Sequence, residues 1–570
     1  MGTYASGEAF IDIVNAHGVE KIFFNPGGEI IELQSLIAQA RVEGKKAPKL
    51  ILCPDESVTI SAAHAQYQIS GQPQVVLVHS ELGTLQMAGN LQNILWGRAP
   101  IVIMVAYQTD ALRTNWDGKP YDQGDIVRGF VKWDRKLNGK EDLHQVMTEA
   151  FQKACTEPAG PVYVYFPMEY LYQRIEKPAT PPTPAKIEPL PPYDIAVLDA
   201  AADLLLEAKN PLIVTGYAGR YPENVEALVR LAETLCAPVF TGYSWFNFPI
   251  DHPLCAGIEQ IGGTSRPKSI LAEADVILVI DYDIPYVPGD KPPSLGAIII
   301  HFDVDKLTNG RLLWERVSDL FMKADSREVI PALEKLLKDK TTPAKSKELK
   351  ERHQRIAAKN TETRQTWHET ALSQAQQKPI SPDWLCYCVN HAIDENTIIV
   401  NHTLSHCASV TEQVVVTKPG SWLGCPSGAI GWAMGASLGA KAAALNKTVV
   451  TLLTDGGFIW GCPTSTLWTA VTYKLPFLVI ICNNQGYGVV RGSQKSIVGE
   501  EGLTEEYIRE AGVEFMPNYA LIAQACGAYG RTVVDPDEVM PAITEALARV
   551  RAGQAAVLDI HLGRGENEGD

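Results

Sequence analysis

Two apolar runs near the C-terminus, LLT at 452–454 and FLVIIC at 477–482, bracket a stretch, CPTSTLWTAVTYKL, with a helical pattern. Strand, helix and strand in that order make a βαβ unit. Its right-handed crossover sets the two strands parallel, so both release the chain at the same edge of one sheet. Two turns are thereby brought together, DGG at 455–457 and NNQGYG at 483–488. Asp455 and the pair Asn483-Asn484 are expected to face one site. A bare Asp-Gly-Gly is ordinary turn chemistry; its weight comes from the polar turn beside it.

That edge offers a carboxylate from Asp455, an amide carbonyl from Asn484, and backbone oxygens freed where Gly486 breaks the strand. A small hard cation such as Mg²⁺ takes a few such oxygens from protein and completes its shell with phosphate and water. A metal-bound diphosphate suits this set. Gly456 and Gly457 agree with it, because absent side chains let phosphate oxygens approach backbone N–H groups at a helix start.

The 570 residues exceed one core and point to about three domains of ordinary size. The proline-rich stretch KPATPPTPAKIEPLPPYD, 177–194, reads as a linker, and a second boundary falls in the lysine-rich segment from Lys338 to about Lys378. The expected parts are 1–180, 190–340 and 375–570. The first and third look alike: AFQKACTEPAGPVYVYFP closes one and ALARVRAGQAAVLDIHL the other, each a helical pattern and then a strand. NPLIVTGYAG and ADVILVIDYD read as strands of a third α/β unit between them.

A net charge of -16 argues against nucleic acid or an anionic membrane as partner. Eleven cysteines without a Cys-x-x-Cys pair read as buried thiols in a reducing compartment. No secretory or spanning apolar run is present, and MGTYAS, which fits a loose myristoylation pattern, has no basic cluster behind it. A cytoplasmic protein is expected.

DGG followed by NNQGYG resembles the Gly-Asp-Gly to Asn-Asn signature of thiamine diphosphate (ThDP) enzymes, in the branch of acetolactate synthase, pyruvate oxidase and benzoylformate decarboxylase. Thr454 stands for the first glycine. The 29 positions from Asp455 to Asn484 slightly exceed that family's spacing, so 458–462 reads as a local insertion. The resemblance implies an α/β chain of three doubly wound or Rossmann-like domains (pyrimidine-binding, central, diphosphate-binding). It implies ThDP and Mg²⁺ as cofactors, with Asp455, Asn484 and the Gly486 backbone at the metal and Tyr487 near the cofactor.

The same resemblance carries to the first domain. Glu56, after the strand KLILC, takes the place of the glutamate that hydrogen-bonds the cofactor's pyrimidine; Asp55 competes, but register with the following helix and Gly71 favours Glu56. FFNPGGEIIEL resembles the family's first-strand turn and puts Asn25, Gly27 and Gly28 at the cofactor, Gly28 replacing a serine that touches substrate. In VHSELGTLQMAGNLQN, His79 matches a proton-relaying histidine, as its near-neutral pKa suits. Glu29, Glu81 and Gln86 complete a polar pocket.

In the third domain, NTIIVNHTLSH offers Thr403 and Ser405 to the diphosphate, with Asn401 and His402 alongside. GSWLGCPSGAIGWAMGASLGAK places Ile430, between Gly428 and Gly431, as the prop that bends the cofactor. The family's site lies between the first domain of one subunit and the third of another, implying a homodimer at least and a homotetramer by resemblance. The implied activity is that of a 2-oxo acid decarboxylase or carboligase acting on a small carbonyl substrate. A 2-hydroxyacyl-thioester lyase, a flavin-linked oxidase or a catalytically retired paralogue are the alternatives; GYAGRYPENVEAL is not a Gly-x-Gly-x-x-Gly fingerprint. Substrate choice is expected to rest on the lid after GYGVVRGSQKSIVGEEG and on the middle-domain loop DYDIPYVPGDKPP, neither of which matches a motif with a known ligand.

Overall fold

A computed structural model describes residues 3–108, 122–137, 141–178, 180–258, 268–282, 296–305, 318–514 and 517–563. Most of the second specificity segment, 283–293, lies outside these residues.

Three six-stranded sheets carry the chain. The first uses, in chain order, Lys21–Phe24, Lys49–Leu52, Gln74–His79, Ile101–Tyr107, Trp133–Lys136 and Val162–Pro167. Their order across the sheet is second, first, third, fourth, sixth, fifth. The last sheet uses Thr397–His402, Trp422–Gly424, Thr448–Thr454, Leu478–Asn483, Tyr529–Val533 and Ala556–His561 in the same order. The likeness between the two ends of the chain is thus a shared topology. All pairings in both sheets are parallel. Helices cover both faces, which is why the central strands, such as Val450–Leu453 and Leu478–Cys482, are apolar at nearly every position and fully buried.

The middle sheet differs. Its strands Pro211–Thr215, Val239–Thr241, Cys255–Ile258, Val276–Ile280, Ile298–Asp303 and Leu320–Lys323 lie in the order 3-2-1-4-5-6, the dinucleotide-fold arrangement. The turn after its first strand is closed on itself. Gly216 and Tyr217 donate their N–H groups to the Asp281 carbonyl, and Gly219 donates to Asn247 Oδ1 at 2.9 Å. The ring of Tyr282 lies where a Gly216 Cβ would be, at 2.3 Å. Charged groups clamp this edge to the first domain: Arg98 binds Asp303 with both terminal nitrogens at 2.8 and 3.0 Å, and Tyr221 donates to Glu157 at 2.6 Å.

The segment after Lys338 is helical except at 341–342 and beyond 373, as the end of helix Ser326–Lys340 and then a 31-residue helix, Pro343–Ser373. Arg352 turns inward from it and donates to the carbonyls of Ala208, Leu235 and Cys236. All eleven cysteines are free thiols.

The first and third domains meet through helices Glu56–Ser70 and Trp432–Ala443. Small residues let the backbones touch: a Cβ on Gly439 would fall 1.9 Å from the Ala62 carbonyl oxygen, and one on Gly435 2.7 Å from Ser61 Cβ. Trp432 Nε1 donates to His64 Nδ1 at 3.0 Å and sets the register of the pair. Gly439→Val is expected to destabilise the protein by about 2 kcal/mol or more through overpacking against backbone. Thermal unfolding against the wild type checks it.

Candidate active site

Glu56 opens its helix because Asp55 caps it. The Asp55 carboxylate accepts the Ser57 N–H at 2.8 Å and the Cys462 thiol at 3.3 Å, so its oxygens are engaged at the helix end. Glu56, one residue on, turns into the domain and is 1% exposed. Burial pushes its carboxyl group above the ordinary range, while a hydrogen bond from Asn25 pulls the other way. Its Oε2 is buried with no hydrogen-bond partner among the described residues. Gly83 makes the space: a Cβ there would sit 2.3 Å from Glu56 Oε1. Gly83 was not singled out above, since nothing local in SELG tells which side chain its missing Cβ admits.

His79 ends the third strand of the first sheet with Nδ1 2.8 Å from Glu29 Oε2. Glu29 is buried, and its other oxygen accepts Gln108 Nε2 at 2.7 Å. The pair is consistent as an ion pair. The Glu29 hydrogen bond raises the His79 pKa, and Glu29, though burial pushes it up, is held below its ordinary value by His79 and Gln108. Gly27 is required by this ring, since a Cβ would fall 1.9 Å from His79 Nδ1, whereas a Cβ on Gly28 would meet nothing within 4 Å. Glu81 accepts from Gln123 at 3.3 Å, and Gln86 is exposed.

The other half is built by the predicted βαβ unit. Strand Thr448–Thr454 runs into a short helix, Asp455–Trp460, and Pro463–Tyr473 crosses over to the strand Leu478–Asn483. Thr454 has a local reason to stand for glycine: its hydroxyl accepts the Gly457 N–H at 3.2 Å and caps that helix. Residues 458–460 complete the helix, Gly461 ends it, and Cys462, φ +47°, leads into the next one. Asp455 is fully buried; Oδ1 accepts the Gly456 N–H at 2.7 Å and Oδ2 the Gly486 N–H at 2.8 Å. One carboxylate thus ties both turns together. The Gly456 and Gly457 N–H groups are both engaged within the turn.

The Asn pair divides. Asn483 Nδ2 donates to Asp559 at 2.8 Å and its Oδ1 accepts the Gln485 N–H at 3.0 Å, so its side chain serves the sheet and does not face the site as expected. Asn484 is buried, its carbonyl accepts Arg491 Nη2 at 2.8 Å, and its Oδ1 has no hydrogen-bond partner among the described residues. Gly488 brings Asn484 and Ser405 together: its Cβ would lie 2.4 Å from Asn484 Nδ2 and 2.9 Å from Ser405 Oγ. Gly486 has φ +139° and no room for a Cβ beside the Val513 carbonyl. Tyr487 accepts from Trp460 Nε1 at 3.1 Å.

Thr403 donates its hydroxyl to Asn401 Oδ1 at 2.9 Å. His402 and His406 are buried and held neutral, each pushed down to about 4 by burial. His406 Nε2 has no partner among the described residues, a feature of the turn after this strand that was not anticipated above. Ile430 is partly exposed between Gly428, φ +72°, and Gly431, φ +96°. Asn93 of the first domain holds this loop, accepting from Ser427 and from the Cys425 thiol and donating to the Ala429 carbonyl.

The unpartnered Asn484 Oδ1 beside the Asp455 turn fits a cation. Among the described residues no group of three or more His, Cys, Asp or Glu could hold a metal; a carboxylate with an amide oxygen suits an ion that takes most of its shell from phosphate and water. The unpartnered Glu56 Oε2 fits a hydrogen bond to a bound heterocycle.

Three stretches match thiamine pyrophosphate enzymes: residues 5–126 the N-terminal TPP binding domain, 198–333 the central domain and 405–560 the C-terminal TPP binding domain. The chain belongs to this family. It is a ThDP-dependent enzyme, similar to acetolactate synthases and benzoylformate decarboxylases. It is 25% identical to benzoylformate decarboxylase of Pseudomonas aeruginosa over 85% of this chain and 86% of that one. It is 23% identical to the acetolactate synthase isozyme 3 large subunit of Escherichia coli, over 100% and 96%. In fold it matches the 4-hydroxybenzoylformate decarboxylase of Rhodococcus jostii RHA1 with a TM-score of 0.79 over 98% of this chain and 99% of that one, at 22% identity.

Burial raises Asp455 to about 6, so without a cation the unfolded chain ionises this group first. The contribution of Asp455 to stability is expected to fall as pH rises from about 4 to about 6, read as the difference between the wild type and Asp455→Asn, because His402 and His406, held down at about 4, act in the opposite direction over the same range. At pH 7, Mg²⁺ with ThDP should raise the unfolding temperature, and Asp455→Asn should abolish that rise, as read by differential scanning fluorimetry.

Proposed function

We propose that this family member is a Mg²⁺-dependent enzyme that makes or breaks a carbon-carbon bond beside a carbonyl, as a 2-oxo acid decarboxylase or carboligase. The carrying observation is Glu56: a buried carboxyl group with one oxygen unpartnered, given room by Gly83. When bound, ThDP supplies a nucleophilic carbon and a cationic ring that accepts the electrons left by departing CO₂. Glu56 holds a hydrogen bond to the pyrimidine. Asp455, Asn484 and the Gly486 backbone hold Mg²⁺, while Thr403, Ser405 and His406 lie along the diphosphate; Gly456 and Gly457, whose N–H groups are engaged within the turn, shape the Asp455 turn instead of binding phosphate. Ile430 and Gly428 shape the bend, Asn25, Gly27, Gly28 and Tyr487 line the cofactor, and His79 carries a proton to or from the substrate.

The active unit is a homodimer at least, within a homotetramer. In support, the groups that act on Glu56 are Asn25, Asp55 and His79, all of the first domain, whereas Asp455 is held by the backbone N–H groups of Gly486 and Gly456 and by the charge of Arg491, all of the third. Large apolar side chains are exposed beside both halves, Leu82 and Leu85 near one, Trp460, Val489 and Val490 near the other. A second copy covers them and brings the halves together. A cytoplasmic location agrees with the free thiols, and no helix among the described residues is long and apolar enough to cross a membrane.

The flavin-linked alternative has less support, since the middle turn's N–H groups are engaged and Tyr282 fills the space over Gly216. Proton NMR with ThDP, Mg²⁺ and a panel of aliphatic and aromatic 2-oxo acids, with and without aldehyde, tests the reading. Aldehyde or acyloin appearing only with both cofactors is the expected result; no consumption of any acid despite bound ThDP shifts the assignment to the thioester lyase or the retired paralogue. Glu56→Gln should keep the wild-type unfolding temperature within a few degrees and lose about 100-fold or more in turnover.

A further inference from the structure

We propose that Glu29 is a positioning residue: it holds the His79 ring over Gly27 in one orientation, with Gln108 fixing Glu29 in turn. The inference rests on His79 serving as the proton carrier above. Four observations converge. The Glu29 carboxylate is buried, which is costly unless both oxygens are satisfied. One accepts Gln108 Nε2 at 2.7 Å, and the other lies at ion-pair distance from His79 Nδ1, 2.8 Å, the two partners coming from the ends of neighbouring strands. The missing Cβ of Gly27 is filled by the His79 ring, so the ring's place is built by the backbone as well. The ring remains 28% exposed, so it is anchored on one side without being sealed in.

The consequence is chemical. A carboxylate on Nδ1 fixes that nitrogen as a donor and leaves Nε2 as the one that exchanges protons. When Nε2 gives its proton to the substrate carbon, the imidazole becomes neutral with its remaining proton on Nδ1 beside Glu29, and solvent restores the proton on Nε2. The other charged groups acting on His79 are the carboxyls of Glu56 and Glu81, both of which also favour the charged ring. Glu29 is the one in direct contact. Because the folded pKa of His79 is raised, its charged form persists below that value and is lost as pH climbs through it.

The test uses full-length protein carrying ¹⁵N-labelled histidine, with His79 assigned by the loss of its signal in His79→Gln. Without cofactor, the His79 imidazole of the wild type is expected to titrate above a free histidine, and in Glu29→Gln at lower pH. In the holoenzyme the same variant should lose on the order of tenfold in kcat, with the alkaline limb of its pH profile moved to lower pH, little change in KM and partial recovery in Glu29→Asp. Gln108→Leu should shift the His79 titration in the same direction by less, and it serves if Glu29→Gln fails to fold. An unchanged His79 titration in these variants overturns the inference, as does a shifted titration with an unmoved pH profile. Exchange of the ThDP C2 proton in D₂O separates the two layers. It should proceed at the wild-type rate in Glu29→Gln and fail in Glu56→Gln; absence of exchange in the wild type itself defeats the functional reading and with it the role given to Glu29.

Discussion

The Asp455 carboxylate is the joint on which the third domain's half of the site depends. It accepts one N–H from the turn after its own strand and one from the turn after the neighbouring strand, and it does so fully buried. Parallel pairing of the two strands is what brings those N–H groups within reach of a single side chain. Once both turns are pinned, Asn484 is carried to the same place with its amide oxygen unpartnered, and Gly488 leaves room for Ser405 to approach it. Two hydrogen bonds only partly offset the burial of a charge, which is why the group remains hard to ionise and why a cation suits the place.

The first domain reaches the same end by a different device. Its two titratable groups stand in spaces made by glycines, Gly83 for Glu56 and Gly27 for His79, so each carboxyl or imidazole is located by backbone. A third glycine contact, Gly439 against Ala62, joins the domains, and Asn93 holds the loop that carries Ile430. Each of these contacts excludes even one added methyl group, so the halves of the site are set by rigid elements and not by adaptable loops.

The middle domain has the strand order of a dinucleotide fold with its ligand edge used otherwise. Asn247 and the Asp281 carbonyl take up the turn's N–H groups, and Arg98, Glu157, Asp303 and Tyr221 turn that edge into a joint with the first domain. Topology alone therefore does not say what the edge binds.

Periodicity made much of this legible. Apolar runs, a helical pattern between them and glycine at the turns were enough to place Asp455 beside the 483–488 turn, because the handedness of a parallel crossover leaves one arrangement. The likeness of the two ends of the chain was visible for the same reason, each closing on a helix and a buried strand. Local pattern left Asp55 and Glu56 as competitors and treated Asn483 and Asn484 as equals. Capping separated the first pair, and the hydrogen bond to Asp559 separated the second. Gly83, Gln108, Asn93 and His406 carried no signal in sequence, since each matters through a partner distant along the chain. What a chain states about itself is its local periodicity and the handed connections that follow from it. Which side chain fills a missing Cβ, and which buried oxygen is left without a partner, depends on packing between segments hundreds of residues apart, and comes into being only when the domains close on one another.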